Sequence, residues 1–134
     1  NYIIPFIEKR FKIETGMNVL EIGCGEGGVL KAFAELGCVC TGVELDTEKY
    51  EMASRMLKSE VECGRVALFH KNIYDPDFNR RFHAQFNLIV LKDVIEHIPD
   101  QRKLLSYLHT FLKEKGVIFF AFPPWQMPFG GHQQ

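Results

Sequence analysis

The sequence predicts a doubly wound α/β domain, in which a mainly parallel sheet carries helices on both faces. Short apolar segments alternate with segments of helical periodicity along the chain. These apolar segments are continuous and rich in β-branched residues, which is typical of strands buried on both faces. A glycine-rich stretch follows the first of them. Strands separated by helices form right-handed crossovers, so the sheet is expected to be parallel and to bind ligands at its carboxyl edge.

Five strands alternate with helices in this prediction. The strands are Asn18–Ile22, Val39–Val43, Val66–Phe69, residues 87–91 and residues 117–122. Helices are expected at residues 2–13, 29–36, 48–59 and 100–115, with a short helix or turn at residues 76–82. Thr47 and Asp100 are the expected N-caps of the third helix and the last, because their side chains accept hydrogen bonds from first-turn amides. Gly37 and Gly116 are expected to end the helices before them.

The composition describes one globular domain, residues 1–134, with 46% hydrophobic and 25% charged positions. A chain of this length fits a single domain. Sixteen basic and 17 acidic residues give a net charge of −1. Such a balance offers no long-range attraction to phosphate backbones or anionic lipids, so neither nucleic acid nor a membrane surface is an expected partner.

Neither a membrane span nor a disulfide framework is expected. The longest apolar run, residues 117–122, is far shorter than the roughly 20 residues that a span needs. The N-terminus lacks the order of a secretory signal and a starting Met, so a cropped or processed chain is expected. Cys24, Cys38, Cys40 and Cys63 form no CxxC pair. A reduced, cytoplasmic protein is the simplest interpretation.

The glycine-rich stretch at residues 23–28 is the first candidate ligand site. Glycines let the backbone turn tightly and approach a ligand, and the next helix presents free N–H groups to it. The stretch fits GxGxxG at Gly23, Gly25 and Gly28, and it equally fits GxGxG at Gly23, Gly25 and Gly27. The spacing therefore does not name a cofactor, and a tight turn without a ligand is the alternative.

Two acids flank this stretch. Glu21 lies two positions before Gly23 in an otherwise apolar strand, where a carboxylate is costly without a partner. An ammonium group or backbone amides would suit it and a pyrophosphate would not, which favours a zwitterionic or cationic ligand over a dinucleotide. The alternative is a Glu21 that only shapes the turn.

Glu44 ends the second strand about 20 positions after the first glycine, where a carboxylate accepts from the ribose hydroxyls of a nucleoside. Asp46 competes for this role, but together with Thr47 it is expected to cap the next helix. A Glu44 that only caps is the alternative, and Leu45 is expected to pack on an adenine face.

These motifs resemble those of the class I S-adenosylmethionine-dependent methyltransferases, over about residues 17–124. VLEIGCGEGG is similar to the first motif of that family, GVELD to the second and KNIYD to the adenine-edge motif after the third strand. FNLIVLKDVIEHI resembles the segment after the fourth strand in small-molecule enzymes of the ubiquinone-biosynthesis type, and KEKGVIFFAFPP resembles the fifth-strand motif. Each motif is weak alone, but five in register are specific.

The resemblance implies a Rossmann-like sheet with strand order 3-2-1-4-5 and S-adenosylmethionine as cofactor, with S-adenosylhomocysteine as its product. Glu21 is implied to orient the methionyl ammonium, Glu44 to take the ribose hydroxyls and Asp75 to accept from the adenine amino group. The carbonyl of Lys92 and the side chain of Asp93 are implied near the methionyl end. The other implied cofactor-binding residues are Gly23, Cys24, Gly25 and Gly27 in the glycine stretch, and Leu45, Ile73 and Tyr74 beside the adenine.

In such an enzyme the fold aligns an acceptor for in-line attack on the sulfonium methyl, and a side chain removes a proton where one must leave. Asp93, Glu96 and His97 share one helical face after the fourth strand. Glu96 and His97 are the candidate catalytic residues, with His97 as general base; the alternative is that they only fasten the helix. No metal is expected, although Asp-x-x-Glu-His resembles the ligand spacing of the small-RNA 2′-O-methyltransferases.

The family's sheet normally has two further strands, a sixth and a seventh, which are absent from this sequence, so the domain is expected to be C-terminally incomplete. A small-molecule acceptor is the expected partner, and the sequence does not indicate an oligomeric state. Two alternatives stay open: a fragment of a nicotinamide-dependent oxidoreductase, which would share the glycines and Glu44, and a non-catalytic nucleoside-binding module. Trp125, Met127 and Phe129 are candidates for an apolar acceptor pocket.

Overall fold

A computed structural model describes residues 3–92 and 100–121 of the chain. Within these residues, strands and helices alternate. The strands are β1 (Asn18–Ile22), β2 (Val39–Val43), β3 (Val66–Phe69), β4 (Phe86–Lys92) and β5 (Leu112–Ala121). The helices are α1 (Ile3–Glu8), α2 (Gly28–Glu35), α3 (Thr47–Met56), α4 (Lys58–Glu62), α5 (Pro76–Arg81) and α6 (Gln101–His109).

The five strands form one parallel sheet in the order β3-β2-β1-β4-β5. β1 pairs with β2 on one side and with β4 on the other, so the strand order reverses beside β1. The predicted fold class and strand order are confirmed. Because ligands bind such sheets at the point of reversal, the carboxyl ends of β1, β2 and β4 are where a site is expected.

Two apolar clusters cover the two faces of the sheet. Phe33 of α2 belongs to the first cluster, and Phe78 of α5 and Leu108 of α6 belong to the second. Successive residues of β1 divide between them, Val19 in the first and Leu20 in the second, as the alternation of side chains along a strand requires. Helices therefore lie on both faces, as predicted. No helix in the part of the chain that the structure describes is long and apolar enough to cross a membrane.

The last predicted helix is shorter than the sequence indicates. It was expected to extend to Lys115, but α6 ends at His109 and β5 begins at Leu112. The longer helix was predicted from an apolar stripe at helical spacing, formed by Leu104, Leu105, Leu108, Phe111 and Leu112. This stripe continues past the end of α6, because Leu112 is buried in β5, where it pairs with Phe86.

Gly116 was predicted to end the last helix. This prediction is wrong, because Gly116 lies within β5. The register between β4 and β5 shifts between Phe86 and Leu88, because four residues of β5 lie between their partners Leu112 and Val117. Lys115 adopts a φ of 69° in this irregular stretch. A Cβ at Gly116 would lie 2.9 Å from the Phe86 carbonyl oxygen, so the close approach of β4 requires glycine.

Two other helices also differ from the prediction. α1 ends at Glu8, before residue 13, and the helix expected over residues 48–59 is two helices, α3 and α4, separated by the buried Leu57. The N-cap of α3 is Asp46, whose side chain accepts from the Lys49 amide at 2.9 Å. Thr47, the predicted N-cap, is the first residue of the helix, because the carboxylate before it reaches the free amide.

Candidate functional site

The glycine loop, residues 23–27, joins β1 to α2 at the carboxyl end of the central strand. Gly23, Gly25 and Gly27 adopt φ values of 72°, 54° and 95°, a region that residues with a Cβ rarely enter. Gly28 is instead the first residue of α2. The backbone therefore requires the GxGxG spacing. At Gly27 a Cβ would also lie 2.7 Å from the Leu57 Cδ1, so this position has no room for a side chain.

Glu44 fastens the glycine loop to the loop that follows β2. Its Oε1 accepts from the Gly25 amide at 2.8 Å, and its Oε2 accepts from the Asp46 amide at 3.0 Å. The Gly23 amide donates to the Val43 carbonyl at 2.9 Å and adds a backbone link between the same two segments. Glu44 is only 8% exposed. One carboxylate thus holds both loops at the point where the strand order reverses.

Glu44 retains acceptor capacity for a ligand. Each carboxylate oxygen has two acceptor sites, and the two amides occupy one on each oxygen. The remaining site on each oxygen matches the paired donors of a sugar diol. Asp46, the competing acid, caps α3 as expected and uses its own carboxylate for the Lys49 amide. The loop-shaping alternative and the ribose role of Glu44 are therefore compatible.

Glu21 lies fully buried in β1, opposite Gly42 of β2 and Val90 of β4. Burial raises the pKa of the Cys24 thiol in the glycine loop to about 12, and the charges of Glu21 and Glu44 act in the same direction. Two carboxylates therefore impose a negative potential on this loop. Such a potential opposes a pyrophosphate and favours a cationic group.

A cleft of about 270 Å³ lies at the carboxyl ends of β1, β2 and β4. The lining residues that the sequence predicted are Gly23, Glu44, Leu45, Ile73 and Tyr74. Those that it did not predict are Ile22, Val43, Lys71, Asn72, Leu91 and Leu104. The lining is mostly apolar, and Leu45 and Tyr74 remain 64% and 42% exposed. Glu21, Cys24, Gly25, Gly27 and Asp75, which the sequence also proposed, do not line this cleft.

Three of the apolar lining residues that the sequence did not predict lie at or next to the carboxyl ends of buried strands. Ile22 and Val43 are the final residues of β1 and β2, and Leu91 lies one position before the end of β4. Their apolar side chains are typical of core residues. They line the cleft because they lie at the carboxyl edge of the sheet. Leu104 reaches the cleft from α6. For Ile22, Val43 and Leu91, the position at the end of a predicted strand was the sequence feature that could have indicated a place in the cleft.

The loop after β3 presents Asn72 to the cleft, and Asp75 is engaged elsewhere. Asp75 caps α5 by accepting from the Asp77 amide at 3.3 Å, and it lies 3.0 Å from the Lys71 ammonium. The hydrogen bond from Lys71 holds the pKa of Asp75 below its usual range. Asn72 Oδ1 accepts from the Tyr74 amide at 2.9 Å, which closes a tight turn at the cleft wall.

The remaining predicted site residues are largely outside the described part of the chain. Lys92 is the last residue of β4. Asp93, Glu96 and His97, which include the candidate catalytic residues and all the speculative metal ligands, lie outside the described residues, as do Trp125, Met127 and Phe129. Within residues 3–92 and 100–121, no group of three or more His, Cys, Asp or Glu residues is placed to hold a metal ion.

The parallel sheet, the left-handed glycine loop and the acid at the end of β2 define a Rossmann-like domain with a ligand cleft at its strand ends. A family model described as a methyltransferase domain matches residues 1–129. The chain belongs to this family of methyltransferase domains.

Individual relatives agree with this family. The ubiquinone biosynthesis O-methyltransferase of Actinobacillus pleuropneumoniae serotype 5b is 28% identical over 122 residues, which are 88% of this chain and 50% of that protein. The chain thus spans about half the length of the curated relatives that it matches.

Solved structures show the same fold. A chain from Methanococcus maripaludis superposes with a TM-score of 0.76 at 18% identity, over 90% of this chain and 53% of its own. Phosphoethanolamine N-methyltransferase 2 of Haemonchus contortus, crystallised with S-adenosyl-L-methionine, matches with a TM-score of 0.73 at 26% identity, over 90% of this chain and 27% of that one.

Proposed function

We propose that the protein transfers a methyl group from S-adenosylmethionine to a small-molecule acceptor. The position of Glu44 carries this proposal, since it is a buried carboxylate that lines the cleft and is held by the glycine loop. Membership of the methyltransferase domain family and the similarity to a structure crystallised with S-adenosyl-L-methionine support it. The matched family argues against the nicotinamide-dependent oxidoreductase, and no observation specifically favours a non-catalytic module.

The cleft residues suit an adenosyl group. Glu44 would accept from the two ribose hydroxyls through its remaining acceptor sites. Leu45 and Ile73 line the cleft with apolar side chains that suit the faces of an adenine ring. Asn72 combines an acceptor with two donors in one amide, which matches the mixed edge of adenine. We assign the adenine edge to Asn72 ahead of Asp75, because the Asp75 carboxylate is already bound by Lys71 and by its own helix.

The charge around the glycine loop suits the methionyl half. Burial is the main cause of the raised pKa of Cys24, and the charges of Glu21 and Glu44 beside the loop act in the same direction, so a positive group suits this region better than a negative one. S-adenosylmethionine supplies an electrophilic methyl group on a sulfonium, and the protein's part is to align the acceptor with it and to exclude water. Lys92 and Asp93 stay the proposed residues at the methionyl end, and Glu96 and His97 stay the proposed groups for moving a proton.

The acceptor is proposed only as a small molecule. The similar protein of A. pleuropneumoniae is named an O-methyltransferase, and the similar structure from H. contortus is named an N-methyltransferase. The two names differ in the acceptor atom, so they support methyl transfer in common and no particular atom. The net charge of −1 gives no electrostatic support for a nucleic-acid acceptor.

Thermal denaturation of the full-length protein with ligands tests the proposal. S-adenosylhomocysteine at 100 times its Kd is expected to stabilise the fold by about 2.7 kcal/mol, whereas NADH leaves the melting temperature unchanged. Transfer of labelled methyl groups from S-adenosylmethionine to the small-molecule fraction of a cell extract then tests turnover. Stabilisation by NADH alone would show that the cleft binds a dinucleotide, and tight binding without any transfer would favour the non-catalytic module.

A further inference from the structure

The helix after β4 reaches across the second face of the sheet to the loop that follows β3. The Tyr107 hydroxyl of α6 donates to the Ile73 carbonyl at 2.7 Å. The Tyr107 ring lies beside the Tyr74 ring, with 4.7 Å between their centroids. Ile73 and Tyr74 both line the cleft. One side chain that does not itself line the cleft therefore contacts two consecutive residues that do.

Tyr107 is itself held firmly within α6. Leu104, one turn earlier, lines the cleft and is 1% exposed, and the Phe111 ring lies 5.5 Å from the Tyr107 ring one turn later. The Thr110 hydroxyl donates to the Tyr107 carbonyl at 2.6 Å and accepts from the Asn79 amide of α5 at 2.8 Å. Packing and hydrogen bonds thus fix the backbone from which the Tyr107 hydroxyl extends.

The loop after β3 has contacts outside itself at two places. At its start, His70 Nε2 lies 3.1 Å from the Leu45 carbonyl oxygen, and further along the Tyr107 hydroxyl binds the Ile73 carbonyl. The hydrogen bonds of Asn72 and Asp75 described above join the loop to itself or to the start of α5, so they shape it without fixing its distance from the cleft. The Tyr107 hydroxyl joins the middle of the same loop to α6, which also lines the cleft through Leu104. Burial raises the pKa of Tyr107, so its hydroxyl stays protonated and remains a donor at neutral pH.

We propose that Tyr107 is a positioning residue that sets the base-recognising loop of the donor site, and that it thereby controls discrimination for adenine. This inference rests on the proposed function. Asn72 and Ile73 are the loop residues assigned to the adenine, and Tyr107 acts on them through the Ile73 carbonyl and the Tyr74 ring. Because Tyr107 lies behind the loop, its loss is expected to change how well the loop reads a base more than it changes the ribose grip of Glu44.

The test compares two ligands that differ only at the base, S-adenosylhomocysteine and S-inosylhomocysteine, by titration calorimetry on the full-length protein. Tyr107→Phe keeps the ring and removes the hydroxyl. The affinity for S-adenosylhomocysteine is expected to fall about three- to tenfold, which is the effect of losing one partly buried hydrogen bond. The affinity for S-inosylhomocysteine is expected to fall less. The ratio of the two affinities therefore falls.

Thr15→Val is the matched control. It removes a hydroxyl that donates to the Leu36 carbonyl at 3.5 Å before the amino end of β1, and this hydroxyl contacts neither α6 nor the loop after β3. Both affinities are expected to stay at their wild-type values. Measurement well below the melting temperatures of the variants, which circular dichroism gives, separates binding from folding. Faster amide exchange at residues 71–75 in Tyr107→Phe provides a second readout that needs no ligand.

Two results would overturn the inference while leaving the proposed function intact. One is a Tyr107→Phe protein with wild-type affinities and wild-type exchange at residues 71–75. The other is an equal loss of affinity for both ligands, which would mark Tyr107 as a general stabiliser of the fold. A wild-type protein that binds neither ligand would overturn the proposed function and this inference together.

Discussion

Glu44 holds two loops together through the Gly25 and Asp46 amides and, in the proposed function, also binds the ribose. Glu44→Gln preserves its size but removes the charge and one acceptor oxygen, so one of the amides of Gly25 and Asp46 loses its partner. Charged hydrogen bonds contribute about 1.5–3 kcal/mol each, so the affinity for S-adenosylhomocysteine is expected to fall by about 10- to 100-fold. Titration calorimetry on the purified variant measures this loss.

Glu48→Gln is the matched control for that experiment. Glu48 lies in the first turn of α3, is exposed and loses the same charge. Its substitution is expected to leave the affinity unchanged, which separates local contact from net charge. Wild-type affinity in Glu44→Gln would show that the carboxylate serves only the loops.

Single residues were predictable where their role follows from spacing along the chain. Glu44 and Asp46 could be told apart because Glu44 directly follows a strand and Asp46 directly precedes a helix. Asn72 was missed because its place at the cleft depends on a turn that its own side chain closes. The adenine role of Asp75, which the motif similarity implied, stays a prediction, and its carboxylate accepts from the Lys71 ammonium in the structure.

Among the elements, α6 supports the cleft with Leu104 and, as proposed, with Tyr107. Its N-cap is Asp100, as the sequence predicted, and the Asp100 Oδ1 accepts from the Lys103 amide at 3.0 Å. Asp100→Ala removes this acceptor and is expected to lower the free energy of unfolding by about 1 kcal/mol. Urea denaturation of the variant, followed by circular dichroism, measures the change.

Lys103 provides the control for the cap. It contributes only its backbone amide to the cap, so Lys103→Ala keeps the hydrogen bond and is expected to change stability by less than about 0.5 kcal/mol. Equal midpoints for Asp100→Ala and the wild type would contradict a stabilising cap.

Strands were more predictable than helix ends. The predicted bounds of β1, β2 and β3 agree with the observed bounds at every end, because each strand is a mainly apolar segment between polar or glycine-rich segments. Helix ends depend on competition, because a side chain such as Leu112 is buried equally well on a helix stripe or in a strand pair. The break at Leu57 has a tertiary origin as well, since this side chain fills the space beside Gly27. No local pattern carries that information.

Across the whole molecule, all four cysteines carry free thiols, but they differ in access. Cys63 is exposed, whereas burial raises the pKa values of Cys24 and Cys40 to about 12 and that of Cys38 above its usual range. Because the thiolate is the reactive form, one thiol is expected to react rapidly with a disulfide reagent at pH 8 and the other three only on unfolding. Absorbance at the released thiolate's wavelength follows both phases.

Cys63→Ser identifies the fast thiol in that experiment. The rapid phase is expected to disappear, while denaturant still exposes three thiols. Two or more rapid equivalents in the native wild type would show that the face of the sheet holding Cys24, Cys38 and Cys40 opens readily.

The alternation of strands and helices predicted a parallel sheet with helices on both faces. The strand order β3-β2-β1-β4-β5 was predicted from the resemblance to the class I methyltransferases. The site followed only in part. Glycine spacing and acid positions located the edge of the sheet, and the KNIYD motif located the loop after β3, but the cleft also uses Leu104 of α6, which lies outside all five motifs. The convergence of these segments is a property of the folded chain.

The double attachment of Glu44 also constrains how this protein can diverge. A shorter acid at this position would lack the reach to accept from Gly25 and Asp46 together, and an apolar residue would leave both amides without this partner. Under the proposed ribose role, one heritable change at Glu44 therefore alters sugar preference and loop geometry together. We therefore expect substitutions in related domains to be more frequent among residues that contact the methyl acceptor than among those that hold the nucleoside.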